Sequence, residues 1–198
     1  MTDALIELLI HQGVLPIHAA AFTHATAAGG ATLVCAPSGG GKSSLSWLAA
    51  THGRGLLSDD HLGLRRSVDG LQLIPLKRSV AVDSNLLDAR PAASSEESMA
   101  GGGKKLRFDP QTLIENCRVF SSTPRRLVFL EKGSTRRFEA LAPREAFIRL
   151  VPQTAGLRPS ARKLLPMLRD LAESVPSTLA TLTQSCLKDP RVLDELGA

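Results

Sequence analysis

The sequence predicts an α/β fold with a mixed central sheet, and three observations carry the prediction. The run ATLVCA (31–36) is apolar throughout, as a strand buried on both faces must be. A glycine cluster, a lysine and a helical apolar pattern follow it without a gap, in SGGGKSSLSWLAA (38–50). Strands, hairpins and amphipathic helices then alternate with no internal repeat. The 198 residues suit one domain with a sizeable core, expected to take in the whole of 1–198.

Taken in order, MTDALIELLIHQG (1–13) is a short amphipathic helix that carries Asp3 and Glu7. It has no basic stretch or cleavage site, and its apolar part is too short to span a bilayer. IHAAAFTHA (17–25) is a strand and AAGG (27–30) a turn, ahead of the buried strand 31–36. The helix after the glycines runs from about Ser43 to His52, with Leu45, Leu48 and Ala49 on one side; Gly53 and Gly55 end it. GLLSDDHLGLRR (55–66) reads as a strand with two aspartates at or just beyond its end. VDG (68–70) then turns the chain into its hairpin partner, LQLIPL (71–76).

RPAASSEESMAGGGKK (90–105) is small, polar and glycine-rich, the composition of a mobile surface loop. RRLVFLEKG (125–133) is a second buried strand and TRRFEAL (135–141) a further one. PREAFIRLV (143–151) is a helix opened by proline. SARKLLPMLRDLAES (160–174) is amphipathic, with Pro166 marking a kink or a late start. STLATLT (177–183) is the last strand and DPRVLDELG (189–197) a closing helix.

The charge is mildly basic, 24 Lys+Arg against 19 Asp+Glu, and the excess sits in short clusters such as Lys77-Arg78 and Lys104-Lys105-Arg107. With no Tyr and one Trp there is no aromatic platform for bases, so nucleic acid is not an expected partner. A polyphosphate site or an acidic partner accounts for the same excess. Cys35, Cys117 and Cys186 lie far apart without ligand spacing. That indicates neither a zinc site nor a disulfide framework, and a reducing cytoplasm is the expected location, with no membrane.

The glycine cluster approximates G-x-x-x-x-G-K-[ST], a strand-to-helix turn whose backbone N–H groups surround a phosphate. Gly39, Gly40, Gly41, Lys42 and Ser43 match it, while Ala36 stands where the first glycine belongs. Alanine is tolerable there at ordinary φ and costly at positive φ. A lysine at a helix N-terminus opposes the macrodipole unless an anion offsets it. Ser38, Gly39, Gly40, Gly41, Lys42, Ser43 and Ser44 are therefore the expected nucleotide cradle. Lys42 would reach the β/γ oxygens, and the Ser43 hydroxyl would sit on Mg²⁺.

Asp59 and Asp60 close the strand immediately after the cradle helix, where a parallel arrangement carries both to the edge that holds Lys42 and Ser43. One carboxylate can hold Mg²⁺, assigned to Asp59, while the other accepts a proton from an attacking hydroxyl. The plain alternative is an Asp-Asp turn. Glu131, at the end of LVFLE, is the competing metal-linked acid.

HAAAF, LVCAPSGGGKSS and GLLSDD together resemble the catalytic core of the HPr kinase/phosphorylase family and its smaller relatives, over roughly residues 15 to 66. The resemblance implies a P-loop domain of the HPr-kinase/PEP-carboxykinase-like type, with ATP and Mg²⁺ as cofactors. It implies that Asp60 is the proton acceptor for a substrate serine, Lys42 the phosphate lysine, Ser43 the metal-binding serine and His18 a further site residue. It also implies a peptide or protein substrate with a hydroxyl acceptor, and homo-oligomers. The sequence departs from the family in lacking its acidic-arginine-glycine segment and room for its N-terminal domain, so the implied acceptor is a peptide other than HPr. A nucleotide hydrolase or switch, and a non-catalytic nucleotide-binding subunit, stay open beside the kinase. Arg78, Lys104, Lys105 and Arg107 are candidates for the cation over the γ-phosphate. His61 either orients Asp60 or points outward, and Trp47 is expected to be core.

Overall fold

A computed structural model describes residues 2–24, 30–77, 79–87, 91, 94–98, 104–154 and 158–197. In chain order the helices and strands begin with α1 (Asp3–His11), β1 (Leu15–His18), β2 (Ala20–Thr23), β3 (Ala31–Cys35) and α2 (Lys42–Thr51). They continue with β4 (Leu56–Ser58), β5 (His61–Ser67), β6 (Gly70–Pro75), β7 (Val80–Asp83), β8 (Ser95–Ser98) and β9 (Lys104–Phe108). The last are β10 (Pro124–Lys132), β11 (Arg137–Leu141), α3 (Pro143–Leu150), α4 (Leu165–Ser174), β12 (Ser177–Leu182) and α5 (Arg191–Glu195).

The class is α/β with a mixed sheet, as the sequence predicts. Six strands in the order β11-β12-β10-β3-β2-β4 form the central sheet. β3, β10 and β12 run parallel, whereas β2 is antiparallel to both β3 and β4. β3 and β4 therefore point the same way with β2 between them. The apolar run of β3 is explained by burial on both faces. Leu33 and Cys35 join the core beneath α3 and α4, and Val34 joins the one beneath α2 and α5. β10 alternates likewise, Leu127 and Phe129 against Val128 and Leu130.

Two strands that the sequence reads as continuous each change sheet part-way. The 17–25 strand breaks at Ala19: β1 belongs to a small antiparallel sheet β1-β5-β6, β2 to the central one. The 55–66 strand breaks at Asp59–Asp60 in the same manner, β4 entering the central sheet and β5 the small one. Apolar residues before and after each break hide the change, because burial continues while the hydrogen-bonding partner switches. Both crossings lie on one seam, and β1 pairs with β5 in a register that sets His18 opposite His61.

A third sheet, β7-β9-β8, packs on α2 through Trp47, which meets Phe108 edge-on at 5.4 Å between centroids. It corrects the loop expectation for 90–105 in part. Ser95–Ser98 is a strand paired antiparallel to β9, while residues 90, 92–93 and 99–103 lie outside the described residues. Residues 25–29, which hold most of the expected 27–30 turn, also lie outside them. Pro166 marks a late start: a 3₁₀ turn over Pro159–Leu164 leads into α4, whose first turn holds the proline. No helix of the described residues is long and apolar enough to cross a membrane, and all three cysteines are buried and free.

Candidate active site

The turn between β3 and α2 is built for close approach. Gly39 and Gly41 have positive φ, +75° and +102°, which side chains resist. Gly40 needs its missing side chain for space, since a Cβ there would lie 2.9 Å from the Cβ of Ala36. Ala36 itself has ordinary φ, the only described non-glycine at positive φ being Asn116, so the departure from the motif costs no backbone strain. α2 then begins without a side-chain cap and without an acidic residue in its first turn. Its leading N–H groups and positive dipole end are left for an anion.

Lys42 is 6% exposed, and its Nζ donates to the carbonyls of Ala36 at 2.6 Å and Pro37 at 3.4 Å. It forms no ion pair among the described residues, and burial pulls its pKa below the usual lysine range. A buried ammonium with only carbonyls for partners is stabilised by an arriving anion. Ser38, Ser43, Ser44 and the three glycines line the cleft around it.

Asp60 lies in the same cleft with His18. Nε2 of His18 donates to Oδ1 at 2.9 Å and Nδ1 of His61 donates to Oδ2 at 2.8 Å. An ionised carboxylate only accepts, so the nitrogen each ring turns toward it is the protonated one. The hydrogen bonds from His18 and then His61 hold the Asp60 carboxyl well below the usual carboxylate range. His61 thus orients Asp60 instead of pointing outward. The seam explains the cluster: β1 and β5 pair at His18 and His61, and Asp60 is the residue before β5 begins.

Asp59 turns the other way. It is 2% exposed, does not line the cleft, and accepts the Ala81 N–H at 2.9 Å through Oδ2. Its Oδ1 has no hydrogen-bond partner, and burial pushes the carboxyl up. Glu131 takes no part in the cleft; Nη1 of Arg149 holds it at 2.9 Å. Of the cation candidates among the described residues, only Lys105 lines the cleft. Lys104 faces Glu96 at 3.4 Å, Arg107 is bound by Glu97, and Arg78 lies outside the described residues.

Sequence reasoning missed Asp83, Lys132, Gln184 and Leu187, all of which line the cleft. The ends of β10 and β12, both parallel to β3, deliver Lys132 and Gln184, as ligands gather at the carboxyl ends of parallel strands. That rule, applied to the strand LVFLEK, would have found Lys132. Asp83 faces Lys105 across the β7–β9 pairing, which no sequence signal announces.

A comparison with solved structures finds the HPr(Ser) kinase/phosphatase from Coxiella burnetii, with a TM-score of 0.50 over 92% of this chain and 93% of that one. The fold is that of an HPr kinase. At 14% identity the likeness extends to the fold, and any chemistry has to come from the cleft. Neither a family model nor a curated protein matches the sequence. The likeness in fold runs along 92% of this chain, beyond residues 15 to 66.

Proposed function

We propose that this chain is an ATP- and Mg²⁺-dependent phosphotransferase, HPr-kinase-like, acting on a hydroxyl of a peptide or protein, with serine as the acceptor. The observation that carries the reading is the sharing of one cleft by the glycine cradle, Lys42 and the doubly held carboxylate of Asp60. Ser38 to Ser44 bind the phosphates through backbone N–H groups and hydroxyls, and Lys42 pairs with the β/γ oxygens. Lys105 and Lys132, without ion pairs among the described residues, supply the further positive charge that a transferring phosphoryl group needs.

The acceptor oxygen attacks the γ-phosphorus as the bond to the β-bridging oxygen breaks, and its proton passes to Asp60. A carboxylate held this low is a weak base. A largely dissociative transition state asks mainly for a well-aimed nucleophile, which Asp60, gripped from two sides, provides. His18 and His61 are its positioning residues.

Ser43, in the cleft, would hold Mg²⁺, and Asp59, the expected second ligand, would have to turn out of its buried position outside the cleft lining to join it. The unpartnered Oδ1 of Asp59 suits a cation, and Mg²⁺ needs only one or two protein ligands beside phosphate oxygens. Bound there, the ion would neutralise charge on the β- and γ-phosphates. The position of Glu131, held by Arg149 outside the cleft, speaks against the hydrolase alternative in which that residue replaces Asp60.

The test is transfer of label from γ-labelled ATP with Mg²⁺ to serine peptides, comparing wild type with Asp60→Asn. Transfer is expected to fall by about 10²-fold or more in the variant. Steady phosphate release by both proteins with no labelled peptide would establish a hydrolase instead.

A further inference from the structure

Asp60 has a second neighbourhood, away from the phosphate cradle. A cavity of about 240 Å³ lies beside the outer edge of β4, walled by Leu56, Pro75, Leu76, Val80, Val119 and Phe120. Lys77 and Arg118 also line it, and among the described residues no carboxylate does. Lys77 is the link: its Nζ stands 3.7 Å from Oδ2 of Asp60, which itself lines the cradle cleft. The Asp60–Lys77 pair is thus the partition between a phosphate-binding cleft and an apolar one. Ser58, also in the apolar wall, accepts the backbone N–H groups of Asp60 at 3.3 Å and His61 at 3.2 Å, so wall and carboxylate are one unit.

The cavity is walled by β4 and by the segment that closes the edge of that strand. Leu56 donates to the Cys117 carbonyl at 2.5 Å, and Val119 donates back to Leu56 at 3.0 Å. The next residue, Phe120, is 69% exposed while contributing to the wall. Its ring stands in solvent at the rim of the recess, where an entering apolar side chain would cover it.

We propose that this cavity seats a large apolar side chain of the acceptor peptide, on a residue next to the hydroxyl that reaches Asp60. The proposal rests on the phosphotransferase reading and adds the substrate's sequence preference to it. With nucleotide in the cradle cleft, the hydroxyl approaches Asp60 from the side of Lys77, and a neighbouring residue, about 3.5 Å along an extended chain, then lies over the cavity. The volume exceeds the roughly 150 Å³ that accepts benzene in an engineered apolar cavity, so a Phe or Leu side chain fits. Charge narrows the occupant. Lys77 and Arg118 already have Asp60 and Asp109 as partners, and among the described residues no carboxylate lines the cavity, so a basic side chain finds no acid there to pair with.

The experiment uses the full chain and short Gly/Ala peptides bearing one serine followed by Phe, Leu, Ala or Lys. Binding is read by fluorescence anisotropy without nucleotide, and label transfer from γ-labelled ATP is read separately. The Phe and Leu peptides are expected to bind about tenfold more tightly than the Ala peptide, with Lys weakest. Phe120→Ala, at an exposed position, should remove most of that preference with the thermal midpoint unmoved, and Phe120→Leu should restore part of it. Equal affinities, no measurable binding, or a preference that survives Phe120→Ala overturns the proposal. The two readings separate cleanly. Preference without transfer shows an apolar peptide site but overturns its assignment to an acceptor together with the phosphotransferase, whereas transfer without preference overturns the cavity proposal alone.

Discussion

At the scale of single residues, the pair Asp59–Asp60 shows how adjacent identical side chains acquire opposite environments. Asp60 faces the cleft and shares its oxygens between two imidazoles, and Asp59 faces inward onto the Ala81 amide. The hydrogen bonds lower one carboxyl and burial raises the other. The Asp60 shift carries a consequence for stability. Its folded pKa lies below the ordinary carboxyl value of 3.8, so its stabilising contribution is present above that pH and is lost as pH falls through the folded value. Wild type should therefore exceed Asp60→Asn in stability at neutral pH, and the gap should close below about pH 4 in urea titrations. A gap that widened in acid would show that the histidines do not hold the carboxylate as described.

At the scale of elements, the β3–α2 turn concentrates the backbone requirements. Gly39 and Gly41 both have positive φ, but a Cβ at 39 meets open space whereas one at 41 would lie 2.8 Å from Cδ1 of Leu187. Gly39→Ala should cost about 1–2 kcal/mol, the penalty of a left-handed alanine. Gly41→Ala should cost more and also weaken nucleotide binding, because the buried Leu187 side chain that lines the cleft must give way. Urea unfolding and ATP titration of both variants check the order, and equal costs would contradict the packing. Ala36 shows the complementary economy, its methyl occupying the space that Gly40 leaves open.

At the scale of the whole molecule, the cradle depends on the end of the chain. Val192, Leu193 and Leu196 pack in the same buried cluster as Leu45, Leu48 and Ala49 of α2, and Leu187 of that segment lines the cleft. Arg136 pins the segment to the β-sheet side through Asp189 at 3.3 Å and Glu195 at 2.5 Å. Leu193→Ala should cost about 2–5 kcal/mol, as large-to-small changes in a core do. Because the lost contacts lie on the cluster that holds α2, ATP affinity should fall with stability. Retention of full affinity in the folded fraction would show that α2 is held without its C-terminal support.

The sequence by itself determined the α/β class, the glycine turn from Ser38 to Ser44 with the helix behind it, and the candidacy of Asp60. Each of these is local: glycines, a lysine and a hydroxyl at fixed spacing between a strand and a helix mark a tight turn with backbone N–H groups open to an anion. What only the tertiary structure decided is non-local. The two sheet crossings at Ala19 and at Asp59–Asp60 leave no mark in an apolar run, since burial persists while hydrogen-bond partners change. The His18–His61 register, the arrival of Lys132, Gln184 and Asp83, and the opposite environments of the two aspartates all follow from those crossings and from the sheet order. Which side chain of a polar pair meets the cleft is set by the direction of the backbone at the seam, and that direction comes from strands far away in sequence.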